Sequence, residues 1–203
     1  MAVTRDAAIF VDRDGTLLDA VPYNADPDRI HVATRVRDGL RRLHGRGFRV
    51  IVVTNQPGLA HGTSSDLDLR IVEQRLRDLL RIHGVPLTGF YYCPHDPEGR
   101  VGRYGVSCTC RKPRPGLFQR AARDHAISLS RSWCIGDTLD HVEAGHNAGA
   151  RSILIDNGNE IAWTLSASRI PDYLAHDFRD AARHIIDTSD PGRPTRPTRI
   201  APA

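Results

Sequence analysis

The sequence predicts an α/β fold built on a mostly parallel sheet. Two observations carry that expectation. Short apolar runs of strand length alternate with longer stretches of helical period, the pattern of strand–helix–strand units. Three of the runs also end in polar residues: Asp12 and Asp14, Thr54 and Asn55, and Asp137. A parallel sheet aligns the C-terminal ends of its strands along one edge, where open α/β sheets bind ligands. Residues far apart in the chain can therefore converge there.

The elements follow in order. Residues 8–12 read as a buried first strand. Residues 34–45 read as a helix with Val36, Leu40 and Leu43 on one face and Gly45 or Gly47 near its stop. Residues 49–54 (Arg-Val-Ile-Val-Val-Thr) read as a buried strand running into Asn55-Gln56-Pro57-Gly58. Residues 66–83 carry Leu69, Val72, Leu76, Leu79 and Leu80 at helical spacing, with Ser65 as cap and Gly84 and Pro86 past the end. A short strand is expected at 89–93. Residues 94–114 form a polar loop too long to be mere connection. A helix follows at 115–126 with Pro115 in its first turn, then a strand at 132–136, a helix at 139–148 and a strand at 151–155. A last short strand and helix are expected within 172–187. The polar run 156–160 reads as a loop on the ligand-facing edge.

Composition bounds the rest. The 203 residues, 40% hydrophobic and 26% charged, fit one soluble domain over 1–187 with a core of its own. Residues 188–203 are rich in Pro, Arg and Thr without periodicity and read as a disordered tail. No apolar run approaches the ~20 residues of a membrane span. No signal peptide is evident, so a cytoplasmic protein without membrane association is expected. The formal net charge of +4 comes from scattered arginines and suits an anionic substrate. Without a dense basic run, and with aromatics at only 6%, nucleic-acid binding is not expected.

Asp12-Arg13-Asp14-Gly15-Thr16 is the most informative stretch. Alternation along a strand would turn Asp12 and Asp14 to the same side. Two acids held together at a sheet edge repel unless a hard cation such as Mg²⁺ lies between them. Gly15 allows the sharp turn that follows. The only lysine among 28 Lys plus Arg is Lys112; a compact ammonium in an arginine-rich chain suits phosphate binding. In the long loop, Cys93-Pro94-His95 and Cys108-Thr109-Cys110 supply three thiols and one imidazole, a closed tetrahedral shell for a structural Zn²⁺ over residues 93–110. Such a site contributes on the order of 10 kcal/mol to folding. A cytoplasmic setting disfavours disulfides. Cys134, in an apolar strand, reads as a small buried hydrophobe. His31, His44, His83, His125, His146, His176 and His184 read as solvated surface residues.

These motifs resemble the haloacid dehalogenase superfamily of phosphohydrolases over roughly residues 7–157. Its four motifs occur in order at Asp12–Thr16, Thr54-Asn55, Lys112 and Gly136-Asp137. The resemblance implies a Rossmann-like three-layer sandwich. It also implies Asp12 as nucleophile forming an aspartyl-phosphate and Asp14 as general acid and then base. Mg²⁺ would be held by Asp12, the Asp14 carbonyl and Asp137, and the phosphoryl oxygens by Thr54, the Asn55 backbone and Lys112. Tyr91-Tyr92-Cys93-Pro94-His95, Thr54-Asn55-Gln56-Pro57-Gly58 and the Cys-x-His…Cys-x-Cys loop look like the D-glycero-D-manno-heptose-1,7-bisphosphate 7-phosphatase group and its relative, the histidinol-phosphate phosphatase domain. In that group the zinc loop caps the site in place of a large cap domain, and Arg111 would reach a second phosphate on a small sugar bisphosphate. Without a large cap, a monomer is the expectation.

The sequence departs from the family at three places. Thr138 stands where a basic residue is usual, His141 where an acid is usual (Asp140 lies one place earlier), and His61-Gly62 where Arg-Gly is usual. The first two are expected to touch metal support and substrate grip. A phosphatase of a small phosphorylated metabolite is the expected function. The alternatives are histidinol-phosphate phosphatase activity, a catalytically silent zinc-stabilised binding module, and a nucleic-acid 3′-phosphatase.

Overall fold

The computed structural model describes residues 6–18 and 30–189. The expected tail from residue 190 onward lies outside the described residues, while Thr188 and Ser189 finish the last helix. In chain order the elements are β1 (Ala8–Val11), α1 (Thr34–Gly45), β2 (Arg49–Asn55), α2 (Gly58–His61), α3 (Asp66–Ile82), β3 (Leu87–Cys93), α4 (Gly116–His125), β4 (Trp133–Gly136), α5 (Leu139–Ala148), β5 (Arg151–Ile155), β6 (Tyr173–Ala175) and α6 (Phe178–Thr188). The six strands form one parallel sheet in the order β3-β2-β1-β4-β5-β6.

Strand alternation divides the core between two faces. Ile9, Val11, Val50, Val52, Ile135 and Ile153 turn to one side, where they pack with Leu40 and Leu43 of α1, Val72 and Leu76 of α3, and Phe178 of α6. Ala8, Phe10, Ile51, Val53 and Cys134 turn to the other, against Leu117 and Phe118 of α4 and Ala144 of α5. The result is the expected three-layer sandwich. No second, cap-like domain occurs among the described residues. No helix among them is long and apolar enough to cross a membrane.

Several details differ from the sequence reading. β1 stops at Val11, although the Asp12 amide still donates to the Ile135 carbonyl at 3.0 Å. Residues 12–14 have left the strand, so pleat alternation does not orient the two acids. Pro115 caps α4 rather than entering its first turn. The short α2 was not anticipated; it occupies four residues, and Gly62, at φ 73°, ends it in a left-handed conformation. His44, His83, His125, His146 and His184 are half-buried rather than solvated. His146 contacts Asp172 at 2.9 Å, and His184 stacks on Tyr173 with centroids 3.8 Å apart. Single-residue patterns carry no information on such partners, which come from other elements.

Ser65 and Asp68 form a reciprocal capping box at the start of α3: Ser65 Oγ accepts from the Asp68 amide and Asp68 accepts from the Ser65 amide at 2.7 Å. Ser65→Ala therefore lowers stability by about 1 kcal/mol in urea denaturation; an unchanged midpoint contradicts that contribution.

Candidate active site

β1, β2 and β4 are neighbours at the centre of the sheet, and their C-terminal ends open onto one edge. Asp12 follows β1 and is almost fully buried, at 6% exposure. Lys112 reaches it from the loop between β3 and α4, with Nζ 2.5 Å from Asp12 Oδ2. Burial alone would raise the Asp12 carboxyl, but the Lys112 ammonium and His141 outweigh it and hold the group well below the usual carboxylate range. Asp12 is thus an ionised, desolvated carboxylate. The backbone that delivers Lys112 is fixed by Asn55, whose side-chain oxygen accepts from the Lys112 amide at 3.1 Å and whose Nδ2 donates to the Lys112 carbonyl at 3.3 Å.

Asp137 follows β4 and is 3% exposed. Thr16 Oγ1 donates to its Oδ1 at 3.0 Å and Asn159 Nδ2 to its Oδ2 at 2.7 Å. Burial, and then the charge of Asp12, nevertheless push its carboxyl above the ordinary value. Two acids that share a buried edge and oppose each other's ionisation are the donor set a hard cation satisfies. Gly15 is required at the crossing: at φ 76°, a Cβ there would sit 1.9 Å from Asp137 Oδ2. Asn157 Nδ2 donates to the Gly15 carbonyl at 2.7 Å, so the polar loop after β5 closes onto the edge where the sequence placed it.

Asp14 has partners of its own. Arg13 Nε donates to both of its oxygens, at 2.9 and 3.0 Å, and Gln56 Nε2 donates to its Oδ2 at 3.0 Å. The same Gln56 amide donates to Thr54 Oγ1 at 2.9 Å, joining the ends of β1 and β2. The side chain of Asp14 keeps 33% exposure. Sequence reasoning missed Gln56, Arg13 and Thr16 as partners. The available signal was their nearness in sequence to residues already singled out, in strand-end segments that the fold buries.

His141 lies against the two residues assigned to metal support and substrate grip. Its ring is fully buried and lies 3.1 Å from Lys112 Nζ and 3.5 Å from Asp12 Oδ2. The change at this position bears on the Lys112–Asp12 pair. Asp140 does not take its place, since it pairs with Arg169 at 3.0 Å. Burial, and then the Lys112 charge, lower the His141 pKa against the opposing pull of Asp12 and Asp137.

The four expected zinc donors meet in one cluster, with their ligand atoms all within 4.8 Å of one another. Cys93 Sγ lies 3.1 Å from Cys110 Sγ and 3.5 Å from Cys108 Sγ, and His95 Nδ1 lies 3.3 Å from Cys110 Sγ. Zn–S bonds of about 2.3 Å span a tetrahedral edge of about 3.8 Å. The cluster therefore needs to open by only a fraction of an ångström to hold the ion. Burial and neighbouring sulfurs push the Cys93 thiol well above its usual value, and burial raises Cys110 as well. Against burial, hydrogen bonds with Cys110 and the Arg111 amide lower Cys108. Thiols that crowd in this way resist ionising together, and a dication removes the conflict. Cys134 is fully buried in the core and its thiol is pushed up to about 12 by burial. Arg111, next to the cluster, donates to the His95 carbonyl and the Asp96 carboxylate, both at 3.1 Å. His61 approaches the same Asp96 at 3.3 Å.

A central parallel sheet with carboxylates after β1 and β4, a threonine at the end of β2 and a lysine brought in by a loop defines a HAD-like hydrolase. Residues 109–181 match the HAD-hydrolase-like family model. A D-glycero-beta-D-manno-heptose-1,7-bisphosphate 7-phosphatase from Haemophilus ducreyi is 38% identical over 180 residues, 88% of this chain and 97% of that protein. On that similarity, the chain belongs to the heptose-1,7-bisphosphate 7-phosphatase family. Among solved structures, a putative HAD-like phosphatase from Mesorhizobium loti superposes with a TM-score of 0.79 at 29% identity, covering 96% of this chain and 91% of that one. A D,D-heptose 1,7-bisphosphate phosphatase from B. bronchiseptica, complexed with magnesium and phosphate, shares the fold with a TM-score of 0.75 at 24% identity, covering 90% and 99%.

Protein purified without chelator is expected to carry one zinc per chain by emission spectrometry. Cys108→Ser should lower that content and cost more than about 4 kcal/mol of stability, the size associated with losing a structural metal. Zinc-free protein of unchanged stability contradicts the assignment.

Proposed function

We propose that the chain removes the 7-phosphate from D-glycero-D-manno-heptose 1,7-bisphosphate, through an aspartyl-phosphate on Asp12. The observation that carries this reading is the buried Lys112–Asp12 pair at the sheet edge, beside Thr54 and Asp137. The activity for which the Haemophilus ducreyi relative is named supplies the substrate. In this reading, Asp12, the Asp14 carbonyl and Asp137 hold Mg²⁺. When bound, the ion offsets the repulsion between carboxylates and phosphate dianion and polarises the phosphoryl group.

The chain's own residues account for the rest. Asp12 is ionised and desolvated, the state a carboxylate nucleophile needs. Its oxygen attacks phosphorus while Asp14 gives a proton to the leaving sugar oxygen. Asp14 then takes a proton from the water that splits the acyl phosphate. Arg13 and Gln56 fix the direction of the Asp14 carboxyl. Thr54, the Asn55 amide and Lys112 take the phosphoryl oxygens, and positioning with charge stabilisation is most of what phosphoryl transfer requires. Arg111 is assigned to the second phosphate, for which its guanidinium would have to leave or share the contacts it makes with the His95 carbonyl and Asp96. The reading carries with it a monomer working in the cytoplasm on a small phosphorylated metabolite, with neither nucleic acid nor membrane as partner.

Phosphate release from both anomers of the heptose bisphosphate, measured against histidinol phosphate and a general phosphomonoester screen, tests the substrate. Preference for a heptose bisphosphate is expected; preference for histidinol phosphate, or no release from any monoester, contradicts the proposal. Asp12→Asn should lower turnover by more than about a thousandfold with an unchanged far-UV spectrum, and retained turnover removes Asp12 as nucleophile. Mg²⁺ at about one hundred times its Kd should add about 2.7 kcal/mol of stability. Asp137→Asn should abolish that gain, and an equal gain in the variant places the cation elsewhere.

A further inference from the structure

Lys112 is the only lysine of the chain, and its ammonium has three N–H donors and no acceptor. One donor is taken by Asp12 Oδ2 at 2.5 Å. The second lies 3.1 Å from His141 Nδ1. A lysine can only donate, so in this contact Nδ1 accepts and a neutral imidazole carries its proton on Nε2; the competing arrangement, Nδ1–H donating to Asp12 Oδ2, is the longer contact at 3.5 Å. Nε2 is buried and makes no hydrogen bond, so no polar partner holds the far side of the ring. Shape holds it instead. Phe118 lies edge-on with centroids 5.5 Å apart, and Gly136 backs the ring so closely that a Cβ there would come within 2.5 Å of it.

We propose that His141 is a positioning residue for Lys112. Its Nδ1 takes the second N–H of the ammonium, and with two of three donors assigned the direction of the third is fixed for a phosphoryl oxygen. An uncharged acceptor does this without adding an anion to an edge that already carries Asp12 and Asp137. A phosphate dianion therefore meets a lysine shared with one carboxylate rather than two. This rests on the phosphatase reading for the use of the third donor; the contact itself does not.

A single lysine makes the contact directly observable. Protein labelled with ¹⁵N-lysine gives one Nζ signal, free of overlap. In wild type its N–H protons should be protected from water exchange. His141→Leu, which fills the site without an acceptor, should speed that exchange at least about tenfold. It should also lower kcat about 10- to 100-fold with KM changed much less, the pattern of a group that acts mainly on the transition state. His141→Asn, which restores an acceptor near the Nδ1 position, should recover both within about threefold. An unmoved lysine signal in folded His141→Leu, or Asn no better than Leu, overturns the proposal. If His141→Leu does not fold, the wild-type ring decides: ¹⁵N shifts showing the proton on Nε2 uphold the proposal, and a proton on Nδ1 overturns it. Should wild type release no phosphate, the phosphatase reading fails while the exchange and tautomer measurements still decide the contact.

Discussion

A buried ammonium against a buried carboxylate ties the loop between β3 and α4 to the end of β1. Lys112 and Asp12 are almost fully buried, at 5% and 6% exposure, so each charge depends largely on the other. Removing one partner of such a pair strands a charge, at a typical cost of 3–5 kcal/mol. The pair also joins sequence positions one hundred residues apart. Everything that shapes the loop serves to bring Lys112 to that point. The thiol–imidazole cluster condenses the loop at one end, the Asn55 side chain holds the Lys112 backbone, and His141 meets the ammonium.

The parallel sheet explains why so few residues suffice. With β1 flanked by β2 and β4, three strand ends deliver Asp12, Thr54 and Asp137 to one edge without further machinery. Neighbouring side chains then knit the ends together. Gln56 bridges Asp14 to Thr54, Thr16 reaches Asp137, and Asn157 and Asn159 bring in the loop after β5. The Gln56–Thr54 and Thr16–Asp137 contacts are buried, where a satisfied network rigidifies its members, while the Asn157 contact lies at the exposed rim.

Much of this was legible from residue order alone. The alternation of apolar runs and helical periods predicted the strand and helix sequence because each element buries one face or both. The four zinc donors were legible because Cys-x-His and Cys-x-Cys are short and chemically unusual. What escaped was contact chemistry between elements. His141 reads in sequence as a substituted acid, and only its burial beside Lys112 shows what it touches. Asp12 and Asp14 were grouped by strand alternation, yet β1 ends before them and their orientation comes from Lys112, Arg13 and Gln56. His146 and His184 looked like surface residues because their partners, Asp172 and Tyr173, belong to other elements.

The central claim is that phosphorus passes through Asp12. Rapid acid quench during turnover, followed by borohydride reduction, converts an aspartyl-phosphate to homoserine, which peptide mass mapping locates. Homoserine at position 12, and at no other aspartate, is the predicted result. Turnover with Asp12 unmodified, or reduction at a different carboxylate, contradicts the account.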